Sequence, residues 1–146
     1  MQVFTLSVPT SVWIIVGVIA AALAVVTVII VLPIAKFTIV VSSSYIRAYS
    51  PIMFKVNVER SQVAHVSVVN LEKAAYLKPT IRLFGVGLPG YKLGWFKLAN
   101  GAKAFLAVTS SGEAVVIELR DGTYVILTPK DFEDFVEALR INGWME

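Results

Sequence analysis

Hydrophobic and polar positions change period twice along the chain. Ser11–Leu32 (SVWIIVGVIAAALAVVTVIIVL) is a run without a charge. At 1.5 Å per residue it predicts a helix of about 33 Å, enough to cross a hydrocarbon core of about 30 Å. Thr27 is the one polar side chain in its interior, and its hydroxyl can bond the preceding turn. Pro33 is expected to close the helix, since it lacks an N–H. From Phe37 onward the pattern shifts to short β-rich runs. FTIVV (37–41) and YIRAY (45–49) flank Ser42-Ser43-Ser44, and IMFKVNV (52–58) and VAHVSVV (63–69) flank Glu59-Arg60-Ser61-Gln62. Each pair predicts two strands joined by a turn. GWFKLA, KAFLAVT, EAVVIEL and TYVILT follow, punctuated by Asn100-Gly101, Ser111-Gly112 and Asp121-Gly122. That spacing predicts an antiparallel meander. In EAVVIEL, Val115, Ile117 and Leu119 share one face, placing that face on a core.

The period changes again at Thr128-Pro129-Lys130-Asp131. Thr128 is expected to cap a helix, with Pro129 at its first position and Asp131 as a capping-box acid. Phe132, Phe135, Val136 and Leu139 recur at i, i+3, i+4, i+7, one apolar stripe, and Asn142-Gly143 ends it. A helix of this kind would plug the mouth or seam of a strand-rich barrel.

Composition sharpens the picture. Of 146 residues, 57% are hydrophobic and 16% charged, against about 45–50% and 25% in soluble domains. The mean hydropathy is +0.76, and the excess sits near the N-terminus. Residues 1–11 carry no charged side chain and the apolar run is long for a signal peptide, so an uncleaved anchor is the preferred reading. Trp13 lies where an interfacial aromatic would sit. Lys36 and Arg47 follow the span, while the tail before it has no Lys or Arg. This bias predicts residues 1–10 as a non-cytoplasmic tail, 11–32 as a transmembrane helix, and 33–146 as a cytoplasmic domain of a single-pass cell-membrane protein. Gly17/Ala21 and Ala20/Ala24 form small-xxx-small pairs that would let two copies approach as a homo-oligomer.

The absence of Cys excludes disulfides and thiol chemistry. The single histidine, His65, reads as a strand surface residue. Asp131 and Asp134 read as helix-dipole and solvated groups. Glu113, Glu118 and Asp121 surround a hairpin without a metal-ligand pattern. No catalytic residue, cofactor or metal site is expected, and the anchor argues against nucleic acid. Gly85-Val86-Gly87-Leu88-Pro89-Gly90 satisfies G-x-G-x-x-G, but the strand-like YKLGWFKL that follows denies it the helix a dinucleotide site needs.

The run RLFGVGLPGYKLGWFKL (82–98), the hairpins after it and the closing TPKDFEDFVEALR (128–140) resemble the bacterial pleckstrin-homology-like family. The resemblance implies an α+β, mainly β fold: a PH-like antiparallel barrel or sandwich with a C-terminal amphipathic helix, here preceded by one transmembrane helix. It also implies an interaction or localisation module without catalytic activity. The first hairpin lacks the clustered cations of a phosphoinositide site.

Two contact readings follow. The Lys78–Lys97 segment joins glycines, large apolar groups and cations. Its candidate partner or membrane contacts are Arg82, Phe84, Leu88, Tyr91, Lys92 and Trp95. The leading expectation is a scaffold or regulatory module that binds a protein partner at the membrane. The alternative is an anionic-lipid sensor, because residues 33–103 carry ten Lys/Arg against Glu59 and Glu72, a net +8, and residues 104–146 carry −5.

Overall fold

The computed structural model describes residues 1–35, 37–50, 54–109 and 112–145. Lys36, the Ile52-Met53 start of one expected strand and Ser111 of one expected turn lie outside the described residues. Helix α1 spans Thr10–Ala35. It runs on through Pro33 rather than ending before it. A proline removes one hydrogen bond to the carbonyl four residues back, and only two residues follow it in the helix, so the loss falls in the final turn. Thr27 Oγ1 donates to the Leu23 carbonyl at 2.8 Å, as its position implied. From Thr10 to Val31 the helix is long and apolar enough to cross a membrane and none of it is buried against the rest of the chain. Its length and composition are those of a membrane span or a signal sequence.

Among the described residues, nine strands form two sheets. The smaller has the order β1-β2-β3 (Thr38–Val41, Tyr45–Tyr49, Lys55–Glu59). The larger contains β4 (Val63–Asn70), β5 (Pro79–Leu88), β6 (Tyr91–Leu98), β7 (Lys103–Val108), β8 (Glu113–Leu119) and β9 (Tyr124–Leu127), in the order β4-β8-β9-β7-β6-β5. Two expectations fail here. β3 and β4 do not pair with each other: β3 pairs with β2 and β4 with β8. Arg60–Gln62 is a 3₁₀ turn that carries the chain from one sheet to the other. The meander is also interrupted. β5, β6 and β7 follow one another antiparallel, but β9 inserts between β8 and β7 and lies parallel to β7. Turn residues report that a chain reverses, not which strand it then neighbours.

The continuous apolar runs explain the insertion. β8 is not half-solvated as its alternation suggested. Val115 and Ile117 enter a core between the sheets, while Ala114 and Val116 enter a second core on the opposite face. Val125 and Leu127 of β9 join the first core, and Ile126 joins the second. Strands buried on both faces belong at a sheet's centre. The first core gathers around Phe105, whose ring meets Trp95 at 5.4 Å, Phe54 at 6.0 Å and Phe37 at 6.2 Å. The second core lies beneath the β4–β5 connection, which contributes Ala74 and Leu77.

Helix α2 (Phe132–Ile141) closes the first core with Phe135, Val136 and Leu139. Its start is later than expected. Asp131 is the N-cap, with no side-chain capping bond, and Thr128 and Pro129 precede the helix. Thr128 is buried, and its hydroxyl instead accepts from the Thr109 N–H at 2.7 Å. That bond ties the end of β7 to the end of β9, a tertiary use that outweighs local capping. The C-terminal end matches the expectation. The Gly143 N–H donates to the Arg140 carbonyl and the Trp144 N–H to Leu139, with Gly143 at φ +75°. These are the two bonds of a Schellman motif.

Arg60 fastens this end to the smaller sheet. Its guanidinium donates to the carbonyls of Ser43 (2.7 Å), Asn142 (2.6 Å) and Gly143 (3.1 Å). It also stacks 4.6 Å from the Trp144 ring. Trp144 Nε1 in turn donates to the Ser42 carbonyl at 2.6 Å. The β1–β2 turn, the 3₁₀ turn and the helix terminus are thereby held as one unit.

Candidate interaction surface

β5 and β6 form a hairpin that turns at Pro89-Gly90, and β5 has β6 as its only strand neighbour among the described residues. The glycine pattern therefore lies mostly in strand, not in a loop. Gly85 and Gly94 face each other across the pair, both at positive φ. The register shifts between Pro79 and Ile81 and again between Arg82 and Phe84. The second shift leaves Leu83 as the extra residue of a bulge, a device that bends and twists an edge.

The six candidate residues divide between two faces. Leu93 and Trp95 point to the first core, and Phe96 and Leu98 to the second. Residues opposite one another share a face. Phe84 (opposite Trp95), Leu88 (opposite Tyr91), Tyr91 and Trp95 thus lie on the first face. Arg82 (opposite Phe96) and Lys92 (opposite Gly87) lie on the second. The candidate set is one hairpin with two sides, not one patch.

Trp95 is half-buried against Phe105, and Lys103 Nζ sits 4.6 Å from its ring centre. Phe84 meets Phe54 at 5.6 Å yet remains half exposed. Tyr91 is partly buried, and burial raises its phenol above the ordinary tyrosine value. Trp95 and Tyr91 serve packing as well as surface.

Two residues absent from the candidate set complete the exposed edge. Ile81 (54% exposed), Leu83 (52%), Phe84 (53%) and Leu88 (56%) present large apolar side chains along one strand. Nothing in the sequence separates Ile81 and Leu83 from core residues, because the two register shifts decide their exposure. The stretch of chain around the hairpin is basic. Residues 73–112 carry Lys73, Lys78, Arg82, Lys92, Lys97 and Lys103 and no acid.

Two clefts flank the start of β6. One of about 670 Å³ runs between β1 and α2, with Phe37, Ile39, Tyr91, Lys92 and Phe135 among its walls. The other, about 440 Å³, lies on the opposite face of the larger sheet and shares Tyr91 and Lys92. His65 is exposed on β4 opposite Glu118, remote from the hairpin in the strand order.

Comparison with curated proteins and with solved structures gives no match. A family model described as Bacterial PH domain matches residues 32–142. Two sheets with a C-terminal helix against the core between them are what that family's fold requires, and the chain belongs to the bacterial PH domain family.

Proposed function

We propose that this chain is a membrane-anchored interaction module that holds a protein partner at the cytoplasmic face. Residues 1–10 form the outer tail, 11–32 the span and 33–146 the binding domain. Domains of this family are in general non-catalytic interaction modules. The observation that carries the reading is the β5 edge, with four large apolar side chains more than half exposed on a strand that has one free side among the described residues. Such an edge offers main-chain donors and acceptors to an added strand, and pockets between side chains give selectivity. The cationic stretch that contains β5 favours a partner segment that mixes apolar and acidic residues. That charge disfavours a second copy of β5, which would set one cationic stretch against another. Anchoring supplies effective concentration, so a weak contact suffices.

The test is a photo-crosslinking residue at Leu83 or Leu88 in the full-length chain in cells. A control probe sits at His65 on the far edge. A protein adduct from the β5 positions, absent from His65 and lost with Phe84→Asp, is expected. Adducts to lipid alone would replace this reading with the anionic-lipid one. Protease protection of a C-terminal tag tests the orientation: cleavage in intact cells would place the domain outside.

A further inference from the structure

The 440 Å³ cleft lies on the outer face of the larger sheet, under the connection from Leu71 to Pro79. Its floor is Leu106, Val108 and Ile126, and its roof is Ala75 and Leu77. Leu77, Leu106 and Ile126 are buried core residues, so the cleft opens into the second core instead of lying on a polar surface. Its volume falls within the range of about 300–1,000 Å³ typical of ligand sites. The polar side chains of the lining are Lys78, Lys92 and Tyr91, with Glu72, which is already engaged within the chain.

This lining selects among ligands. A peptide would bring amide groups that need partners when buried, and the floor and roof offer only apolar side chains. A hydrocarbon chain makes no such demand. Among the lining side chains Lys78 and Lys92 outnumber the one carboxylate, Glu72, and this net positive lining fits an anionic group at the end of that chain. The bilayer is the nearest source. Tyr91 and Lys92 also line the first cleft, together with Phe37. Phe37 follows Ala35, the last residue of α1, by two residues, at most about 8 Å of chain.

We infer that this cleft takes an acyl chain of an anionic phospholipid from the membrane, with Lys78 and Lys92 facing the phosphate. The inference rests on the proposed span of α1, but not on the protein contact at β5.

The full-length chain, reconstituted in vesicles with a phosphatidylglycerol that carries a photoactivatable acyl terminus, tests it. Labelling of α1 serves as the internal standard. Labels are expected on peptides covering 71–79 and 104–108 as well as on α1. The double variant Lys78→Glu, Lys92→Glu should lower domain labelling at least tenfold relative to α1, and Ala75→Trp, which fills the roof, should do the same. If Ala75→Trp fails to fold, the surface charge reversal decides. A matching phosphatidylcholine probe should label α1 equally and the domain at least fivefold less. Labels confined to α1, or equal domain labelling by both lipids, would overturn the inference. So would domain labelling by a photoactivatable fatty acid but not by the phospholipid. Loss of α1 labelling itself would indict the span instead, and Phe84→Asp, the variant expected to lose the protein adduct, should leave domain labelling unchanged.

Discussion

Replacing Gly94 by alanine probes the closest main-chain approach in the β5–β6 hairpin. Gly94 has φ +136° and opposes Gly85 at φ +128°. A Cβ at position 94 would run into the Phe84 carbonyl oxygen and lie 2.8 Å from Gly85 Cα. Two costs therefore add. An L-residue forced to positive φ loses about 1–2 kcal/mol, and an extra carbon in a filled space costs about 1–3 kcal/mol. The sum is about 2–5 kcal/mol, a large share of a domain stability of about 5–15 kcal/mol. Gly101 provides the comparison. It also has positive φ, +86°, but a Cβ there meets nothing within 4 Å. Gly101→Ala should cost only the conformational part, about 1–2 kcal/mol. Thermal unfolding of the full-length chain in detergent, followed by near-UV circular dichroism, separates them, because Trp95 adjoins Gly94. At about 4–8 °C per kcal/mol for a domain of this size, Gly94→Ala should lower the midpoint by about 8–40 °C. A loss no greater than that of Gly101→Ala would refute the steric reasoning.

Arg60→Ala removes three hydrogen bonds to carbonyls and the stack on Trp144; it should cost about 1.5–3 kcal/mol, taken at the level of a single charged hydrogen bond because the site is exposed, and Arg60→Lys should not restore it in denaturant titrations, since one ammonium nitrogen cannot replace three guanidinium nitrogens that each meet a different carbonyl. Thr128→Val removes the part-buried 2.7 Å acceptor of the Thr109 N–H; a loss of about 0.5–1.5 kcal/mol is expected, and a neutral result in the same titration would show that the hydroxyl does no more than fill space. The Asp121 carboxyl is held below the ordinary aspartate value by hydrogen bonds from the backbone N–H and side chain of Thr123. A depressed folded value means that its contribution is present above the unfolded value of about 3.9 and fades as pH falls through the folded one. Asp121→Asn should therefore be less stable than the parent at pH 6, with the gap narrowing as pH falls below the unfolded value, and a gap that stays constant through that fall would contradict the assignment.

Local chemistry made some of the fold legible and tertiary competition hid the rest. The apolar run of α1, the stripe of α2 and the Asn-Gly and Asp-Gly reversals each reflect interactions within a few residues, and each lies close to its expected place. The Asx bonds at Asn100 and Asp121 are of this local kind. Thr128 and Pro129 show the opposite case, where a helix-start pattern yields to a bond with Thr109. The position of β9 between β7 and β8 depends on which faces other strands cover, and no spacing within EAVVIEL or TYVILT records that. The candidate surface was legible as a segment but not as a geometry. Period-two alternation cannot anticipate a bulge at Leu83, and without the bulge the exposed faces of Ile81 and Phe84 are misassigned. Arg60 was visible only as a charge in a connection, because its acceptors lie at residues 43, 142 and 143.

The bulges also limit how a partner can use the β5 edge. Free edges invite unwanted pairing, and bulges or inserted charges are common defences. The other edges fit that logic in their own ways: β1 is four residues long, β3 exposes Lys55 and Glu59, and β4 exposes His65. β5 is the long and apolar exception, but its register is regular only from Phe84 to Leu88, opposite Tyr91 to Trp95. A strand added to the free side would follow the straight ladder over that stretch and leave it at the bulge. Main-chain bonding alone would then be modest, since each hydrogen bond exchanged with water nets only about 0.5–1.5 kcal/mol. Side-chain contacts with Phe84 and Leu88 must add selectivity, and the rest must come from confinement. A module held beside its partner in the same bilayer gains that confinement without new contacts. In the proposed arrangement, removing α1 should weaken capture more than any single substitution on β5. If a soluble domain instead bound its partner as well as the anchored chain does, the contact would have to be larger than this edge provides.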